Sequence, residues 1–492
     1  MSNLIDRVIG WVNPSAGIAR HLARKQLRAY EAASPRDPWR PRRAGASANA
    51  DHQADAKTVR TKARALVQNV PYCRAAVEGL CSATIGTGIV PRATGQEKEV
   101  INKLFALWSK VCDADGRYDY FGMVKAAYAA MEQDGEVLVR LRPRRAGDNL
   151  PVPLQLQLLE IDWLDDSRTG AIGGNQIING IEYDALGAVA AYYLWDQHPG
   201  DVGTLRGRKT QSTRVAAQFI IHLFNPERPG QGRGFSRFAP VISRVRDLQV
   251  YEDAELARKN LETRLSVLAS GDMTGMENPA AMGGAAPEQG SGVRDLGELG
   301  GGAIFGMPSG MNFTVVEPKA APGYVEYVKY QMHIIATGLG VPYEMVTGDM
   351  SGVNFSSARV RGLDFRRAVQ QMQWLVLKPK LLEKIHEAFV EAAYLAGKIR
   401  GRDIAVDFSP PKWDYVNPEQ DVKADQAEIA AGLSTLSEKL RQRGYEPDVV
   451  FAEWKADHDK LKALGILDTM LFLQRGNMPT PTAESQTDTT KE

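Results

Sequence analysis

Apolar and polar positions change period several times along the 492 residues, and each change marks an element. Over 58–82 apolar residues recur at helical spacing. The pattern is interrupted at Asn69-Val70-Pro71, where Asn69 is placed to cap a second helix. IGTGIVPR (85–92) is a Gly-punctuated turn leading into a short strand. A helix is predicted over 96–112, with Val100, Leu104, Leu107 and Trp108 on one face, and another over 119–133. EVLVRLRP (136–143) then alternates apolar with polar, the period-2 signature of a strand. Strand patterns continue through 152–224 in LQLQLLEI, QIINGIEYD, AVAAYYLWD and QFIIHLF, with a turn at 184–187. They predict an antiparallel sheet region with the preceding helices packed on it.

RPGQGRG (228–234) breaks the chain. A long helix is predicted over 236–268, where Phe238, Val241, Ile242, Val245, Leu248, Tyr251, Ala254, Leu261 and Leu265 recur at spacings near three and four. Residues 270–303 are rich in Gly, Met and Ala. That is too long for an ordinary connector and reads as a mobile functional loop or a partly disordered one. Strands follow in AIFGMP and MNFTVVEP, then a helix over 323–338. The Gly-rich loop TGDMSGVNF (347–355) precedes a third long helix over 356–395. Pro379 should kink that helix, because it removes one hydrogen bond and crowds the preceding turn. The segment 419–473 is helical and 476–492 is a polar tail. Residues 32–56, with Pro35, Pro38 and Pro41, read as a linker or extended arm.

Composition changes this picture in one place. The hydrophobic fraction of 43% and charged fraction of 24% are ordinary for a folded chain. The length allows two to four domains or one extended subunit. The net charge of +1 hides an asymmetry: residues 1–64 hold 13 Lys or Arg against 5 Asp or Glu, a local +8. Such a segment suits nucleic acid, an acidic partner or a membrane surface, or is simply a solvated arm. No stretch approaches the ~20 apolar residues of a spanning helix. Asp6 and Arg7 inside the first apolar run make it a poor signal peptide. Cys73, Cys81 and Cys112 are too few for a secreted disulfide framework and predict reduced thiols made in a cytosol.

The search for enzyme chemistry returns little. None of the 7 histidines sits in an HxH or HExxH pair. His222 in FIIHLF reads as a strand residue with a satisfied ring nitrogen. There is no GxxxxGK[ST] phosphate loop, so the chain is not expected to be an ATP-driven motor. GQGRG (230–234) lacks the Lys and the GxGxxG frame and reads as a flexible turn. Ser351 in GDMSG has the wrong spacing for a GxSxG elbow. DADGRYD (113–119) lacks the acid required at the twelfth position of a calcium loop and reads as a turn. Asp165 and Asp166 read as ordinary surface acids. The expectation is no enzyme, no cofactor and no metal.

Five motifs in order resemble the lambda-like family of tailed-phage portal proteins, over about 58–470. They are NVPYCRAAVEGLCSATIGTGIVPR (69–92), DADGRYDYFGMVKAAYAAMEQDGEVLVRLRP (113–143), IIHLFNPERPGQGRGFSRFAPVI (220–242), GLGVPYEMVTGDMSGVNFSSARV (338–360) and WDYVNPEQDVKAD (413–425). Phe355 stands where Tyr is more usual, and Asn417 where Asp is. The resemblance implies an α+β, predominantly helical fold with wing, antiparallel helical stem, clip and helical crown, assembled as a ring. Its divisions fall at 1–57 (basic arm), 58–235 (wing), 236–269 (first stem helix), 270–322 (clip) and 323–340 (second stem helix). After them come 341–418 (tunnel loop, kinked helix and return to the wing), 419–475 (crown) and 476–492 (tail).

The implied function is a DNA channel at one capsid vertex of the virion, used for packaging and ejection. Implied partners are further copies of the chain in a dodecamer and double-stranded DNA without sequence preference. The terminase large subunit, head–tail connector proteins and a capsid or scaffold protein complete the set. Assembly would start from protein made in the host cytoplasm. The implied DNA-facing loop is Gly348, Asp349, Met350, Ser351, Gly352, Val353 and Asn354. It has no Lys or Arg, so it would brush past phosphates rather than grip them. By composition alone, an ordinary helix–helix connection fits that loop equally well. The implied stem cations are Arg244, Arg246, Arg258, Lys259 and Arg264. Two other classes stay in view: a phage nuclease, marked by metal-dependent cleavage, and a monomeric capsid-associated adaptor, marked by the lack of a central hole.

Overall fold

The computed structural model describes residues 46–201, 212–263, 266–270, 312–316, 323–352, 354–402, 404–411, 413, 418–443, 445 and 447–466. Of the expected basic arm over 1–57, residues 1–45 lie outside the described residues, as do most of the expected clip including AIFGMP and the polar tail, while residues 48–57 belong to a helix.

Two helices open the described chain, α1 (Ala48–Asn69) and α2 (Pro71–Thr84). Ser47 caps α1 by accepting from the Ala50 N–H. Pro71 starts α2 at the one helical turn that needs no N–H from it. Next come β1 (Val90–Ala93), α3 (Lys98–Trp108) and α4 (Tyr120–Asp134), the last capped by Asp119 and ended by Gly135 at φ 96°. The strands β2 (Glu136–Pro143), β3 (Leu154–Glu160) and β9 (Ile220–Phe224) form a sheet in the order β3-β2-β9. Between them β4 (Gly170–Ile172), β5 (Asn175–Ile178), β6 (Ile181–Tyr183), β7 (Val189–Leu194) and β8 (Thr213–Ala216) form a five-stranded meander. Every pairing is antiparallel.

The central strand β2 departs from its expected half-buried alternation. Val137 and Val139 face the main core while Leu138 faces a second core against the meander, and all three are buried. Only the outer half keeps a polar face, at Arg140 and Arg142. The main core runs from α1 to the later helices around Trp108, Tyr120, Phe105 and Phe389. The Phe105 and Phe389 rings meet edge-on at 5.3 Å.

The expected helix over 236–268 is shorter. It runs as α5 (Ile242–Thr263), preceded by turns over 237–241, where Pro240 has no N–H to carry a helical ladder through. At its far end β10 (Ser266–Ser270) pairs with β11 (Asn312–Val316). A partner strand distant in sequence satisfies its backbone, which no local period can announce. Then come α6 (Tyr324–Leu339), the short α7 (Tyr343–Thr347) and α8 (Phe355–Met372). The expected kink at Pro379 takes the form of a π-helical stretch, α9 (Gln373–Leu382), running on into α10 (Glu383–Leu395). In an α-helix the Pro379 ring would crowd the carbonyl four residues back, and the wider turn avoids this. The strand β12 (Val406–Ser409) pairs with β1, and α11 (Pro418–Ala430), α12 (Leu436–Gln442) and α13 (Pro447–Ala463) close the described chain.

The three cysteines are free and buried, and burial pushes each thiol up to about 12. Among the described residues no helix is long and apolar enough to cross a membrane.

Candidate functional site

The loop singled out in the sequence begins where α7 ends. Gly348 takes φ 70° and sends its N–H to the Glu344 carbonyl at 2.9 Å, stopping the helix. Asp349 follows, and its carboxylate is engaged three times. It accepts from the Ser351 N–H at 3.0 Å and the Tyr343 hydroxyl at 3.2 Å, and faces Lys329 Nζ of α6 at 3.2 Å. The Ser351 hydrogen bonds, then Lys329, hold its carboxyl well below the usual range. Asn354 closes the loop as the cap of α8. Its Oδ1 accepts from the Ser357 N–H at 2.8 Å, and its own N–H donates to Ser357 Oγ at 3.3 Å.

Asp349 and Asn354 are therefore pins that fix the two ends of the loop. Met350, Ser351 and Gly352 stand exposed at its tip, Met350 at 61%. Val353 lies outside the described residues. Sequence reasoning missed Lys329 and Tyr343, which tie the loop to α6. The His333 and Tyr343 rings stack at 4.1 Å and add to that tie.

The expected stem cations divide. Arg244 and Arg246 are exposed on α5 and form no ion pair among the described residues. Arg258 pairs with Glu255 one turn earlier, Lys259 is exposed, and Arg264 lies outside the described residues. Tyr251 joins α5 to α6, stacking on Tyr324 and meeting Tyr327 edge-on at 4.7 Å. Beyond that contact, Val250 and Leu256 on α5 and Val325 and Tyr330 on α6 are exposed.

Two motifs far apart in sequence meet in a buried polar cluster that links the sheets to α5. Glu136 is 1% exposed and Arg233 3%. Arg233 donates to both Glu136 oxygens, at 2.7 and 2.6 Å, and to the Asn179 carbonyl at 3.1 Å. His222 Nε2 donates to Glu136 at 2.9 Å. His52 Nε2 lies 3.0 Å from the Gly234 carbonyl and 3.3 Å from Glu136, so that nitrogen carries the proton. The backbones approach too closely for side chains. A Cβ on Gly135 would meet the Phe235 carbonyl carbon at 2.4 Å, and one on Gly234 the Gly135 oxygen at 2.1 Å. The GQGRG segment is thus no flexible turn but a buried latch, and His222 does have its ring nitrogen satisfied.

Burial alone would raise the Glu136 carboxyl; the Arg233 charge and the imidazole hydrogen bonds reverse this and hold it well below the ordinary range. Burial pushes His222 down and His386 down to about 4. The signs agree. A buried neutral histidine contributes stability that is present above about pH 6.5 and is lost as pH falls, because the unfolded chain takes the proton first. The Glu136 contribution is present above about pH 4.5 and is likewise lost on acidification. Urea titrations should therefore show stability falling from pH 7 towards 4.5. The His386→Phe variant should flatten the slope between about 6.5 and 4. A midpoint independent of pH would refute this account.

Other expected sites resolve into structure. Asp113 of DADGRYD accepts the N–H groups of Asp115, Arg117 and Tyr118, which makes it the anchor of a turn. Asp165 is buried rather than a surface acid, and accepts from Ser167 Oγ and Ser212 Oγ, both at 2.6 Å. Part of the N-terminal positive charge is spent inside the fold: Arg60 pairs with Asp162 at 3.0 Å and Arg64 with Asp134 at 2.6 Å. Among the described residues Glu160, Asp162 and His198 bring possible ligand atoms within 4.8 Å of one another. The Arg64 guanidinium already lies on both carboxylates, at 3.2 and 2.7 Å.

Comparison with known proteins places these motifs. The family described as phage portal protein, lambda family, matches residues 35–373. The probable portal protein of Halomonas phage phiHAP-1 is 28% identical over 443 residues, covering 85% of this chain and 83% of that protein. Portal protein B of Escherichia phage lambda is 21% identical over 407 residues, covering 76% and 75%. Among solved structures, chains of the virion and of the C12-symmetric neck of a native gene transfer agent particle each align at a TM-score of 0.44 with 17% identity. They cover 80% and 78% of this chain and 94% of theirs. The match spans the latch, α5, α6 and the loop after α7, and on it the chain belongs to the lambda family of phage portal proteins.

Proposed function

We propose that this chain forms a closed ring at one vertex of the capsid, and that double-stranded DNA passes through its axial channel during packaging and ejection. One observation carries the reading: α5 and α6 leave Val250, Leu256, Val325 and Tyr330 exposed, more apolar face than the pair covers by itself. A ring places a neighbouring copy against such faces. The divisions into wing, stem, clip and crown follow the family resemblance. The tip of 348–354 would line the channel, and Arg244 and Arg246 would stand on the stem. Without a phosphate loop in the sequence, the energy for packaging would come from a separate terminase ATPase docked on the clip. Head–tail connector and capsid or scaffold proteins would complete the vertex. The role is structural, with no catalytic residue assigned.

Light scattering with negative-stain imaging of the purified protein tests this. The expected result is a closed ring with an open axial hole. Monomer at every concentration and salt would overturn it and favour the adaptor class. Metal-dependent cleavage of DNA by the pure protein would favour a nuclease.

A further inference from the structure

The strand β2 carries arginines at alternate positions, Arg140 and Arg142, and Arg144 continues their line. Arg140 is paired across the ladder with Gln157 and Arg142 with Gln155. Arg144 extends the ladder through its N–H to the Pro153 carbonyl at 2.8 Å, and its Nε donates to Gln155 Oε1 at 2.8 Å. Alternate residues of a strand share a face, so the three arginines leave the backbone in a row repeating about every 6.8 Å. Val137, Val139 and Leu141 on the other face pack on the main core, which fixes the row's direction.

No carboxylate closes an ion pair on the row among the described residues. Arg140, Arg142 and Arg144 are half-buried. By contrast the buried Arg60 and Arg233 are each paired with a carboxylate. Burial and the neighbouring Arg142 lower the proton affinity of Arg140, and Asp196 opposes them only through longer-range attraction. Asp115 stands at the rim, bonded by Gln157 at 3.3 Å. Partly desolvated like charges held side by side are costly alone and are relieved by an anion.

We propose that Arg140, Arg142 and Arg144 form a docking strip for an extended acidic peptide segment of another protein, with carboxylates at alternate positions. An extended chain repeats about every 6.8 Å per two residues, in step with the row. Each guanidinium fork matches a carboxylate with two parallel hydrogen bonds. A DNA duplex fits less well. Its backbone carries a charge about every 1.7 Å along the axis, out of step with the row, and the exposed acids at Asp115 and Asp196 would face further phosphates.

The test uses the full-length protein and a labelled short peptide alternating Glu and Ser, followed by fluorescence anisotropy at low salt. Wild type should bind it more tightly than a peptide of equal composition with its Glu residues in one block. The Arg142→Gln/Arg144→Gln variant should bind about ten-fold or more weakly at an unchanged melting midpoint. Arg142→Gln alone supplies the comparison if the double variant melts early. Equal affinity of wild type and variant, or no binding by wild type, overturns the proposal. So does duplex DNA that displaces the peptide and loses affinity with the same substitutions.

Discussion

Glu136→Gln is expected to destabilise the fold by about 3–5 kcal/mol, the cost of leaving a buried charge without its partner. Arg233 is 3% exposed and would keep its charge with only a neutral amide opposite. The Gln side chain offers one acceptor oxygen where the carboxylate serves Arg233, His222 and the Gly234 N–H. The loss should exceed that of any surface ion pair in this chain. It should also be non-additive: Glu136→Gln combined with Arg233→Met should cost less than the sum of the single changes, because neither charge is then stranded. Urea denaturation of the two single variants and the double variant measures this. A Glu136→Gln loss below about 1 kcal/mol would show that water or rearrangement relieves Arg233, and the latch would then be no staple. The consequence is positional. The cluster draws α1, β2, β9 and the turn before α5 to one point, so loosening it frees the sheets from α5 at its root.

The second large effect belongs to the loop. Met350→Lys combined with Gly352→Lys should add a closely spaced ring of cations in the assembled particle and leave the fold unchanged. Met350 is exposed, and a Cβ on Gly352 meets no atom within 4 Å. DNA retention should rise and packaging should slow, more at low than at high salt, because each new phosphate contact releases counterions. Substituting Asp349 or Asn354 would confuse the result. Asp349 neutralises Lys329, and Asn354 caps α8, a role worth about 0.5–2 kcal/mol. Packaging rate and retention at two salts, with rings confirmed by imaging, decide the matter. Wild-type values at both salts would mean that the tip does not touch DNA, and the channel assignment should then be dropped.

The sequence by itself determined the class of fold, several of the long elements and the family. Helical and strand periods are local consequences of which face is buried, so α4, β2, α6 and the long run from α8 to α10 were legible. So were the motifs, because their order survives in the chain whatever their contacts. Tertiary structure decided what long-range partners decide. The fate of 266–270 depended on a strand at 312–316, and the burial of β2 on both faces depended on a second core that no alternation records. Lys329 and Tyr343 became part of the loop because α6 folds back beside α7. Above all, GQGRG by its sequence reads as a flexible turn. Gly, Gln and Arg are common in solvated loops, and only the approach of Gly135, Glu136 and His222 from other strands turns Arg233 into a buried, paired charge. A pattern along one strand states which side is apolar; it does not state which charge will be waiting on the other side.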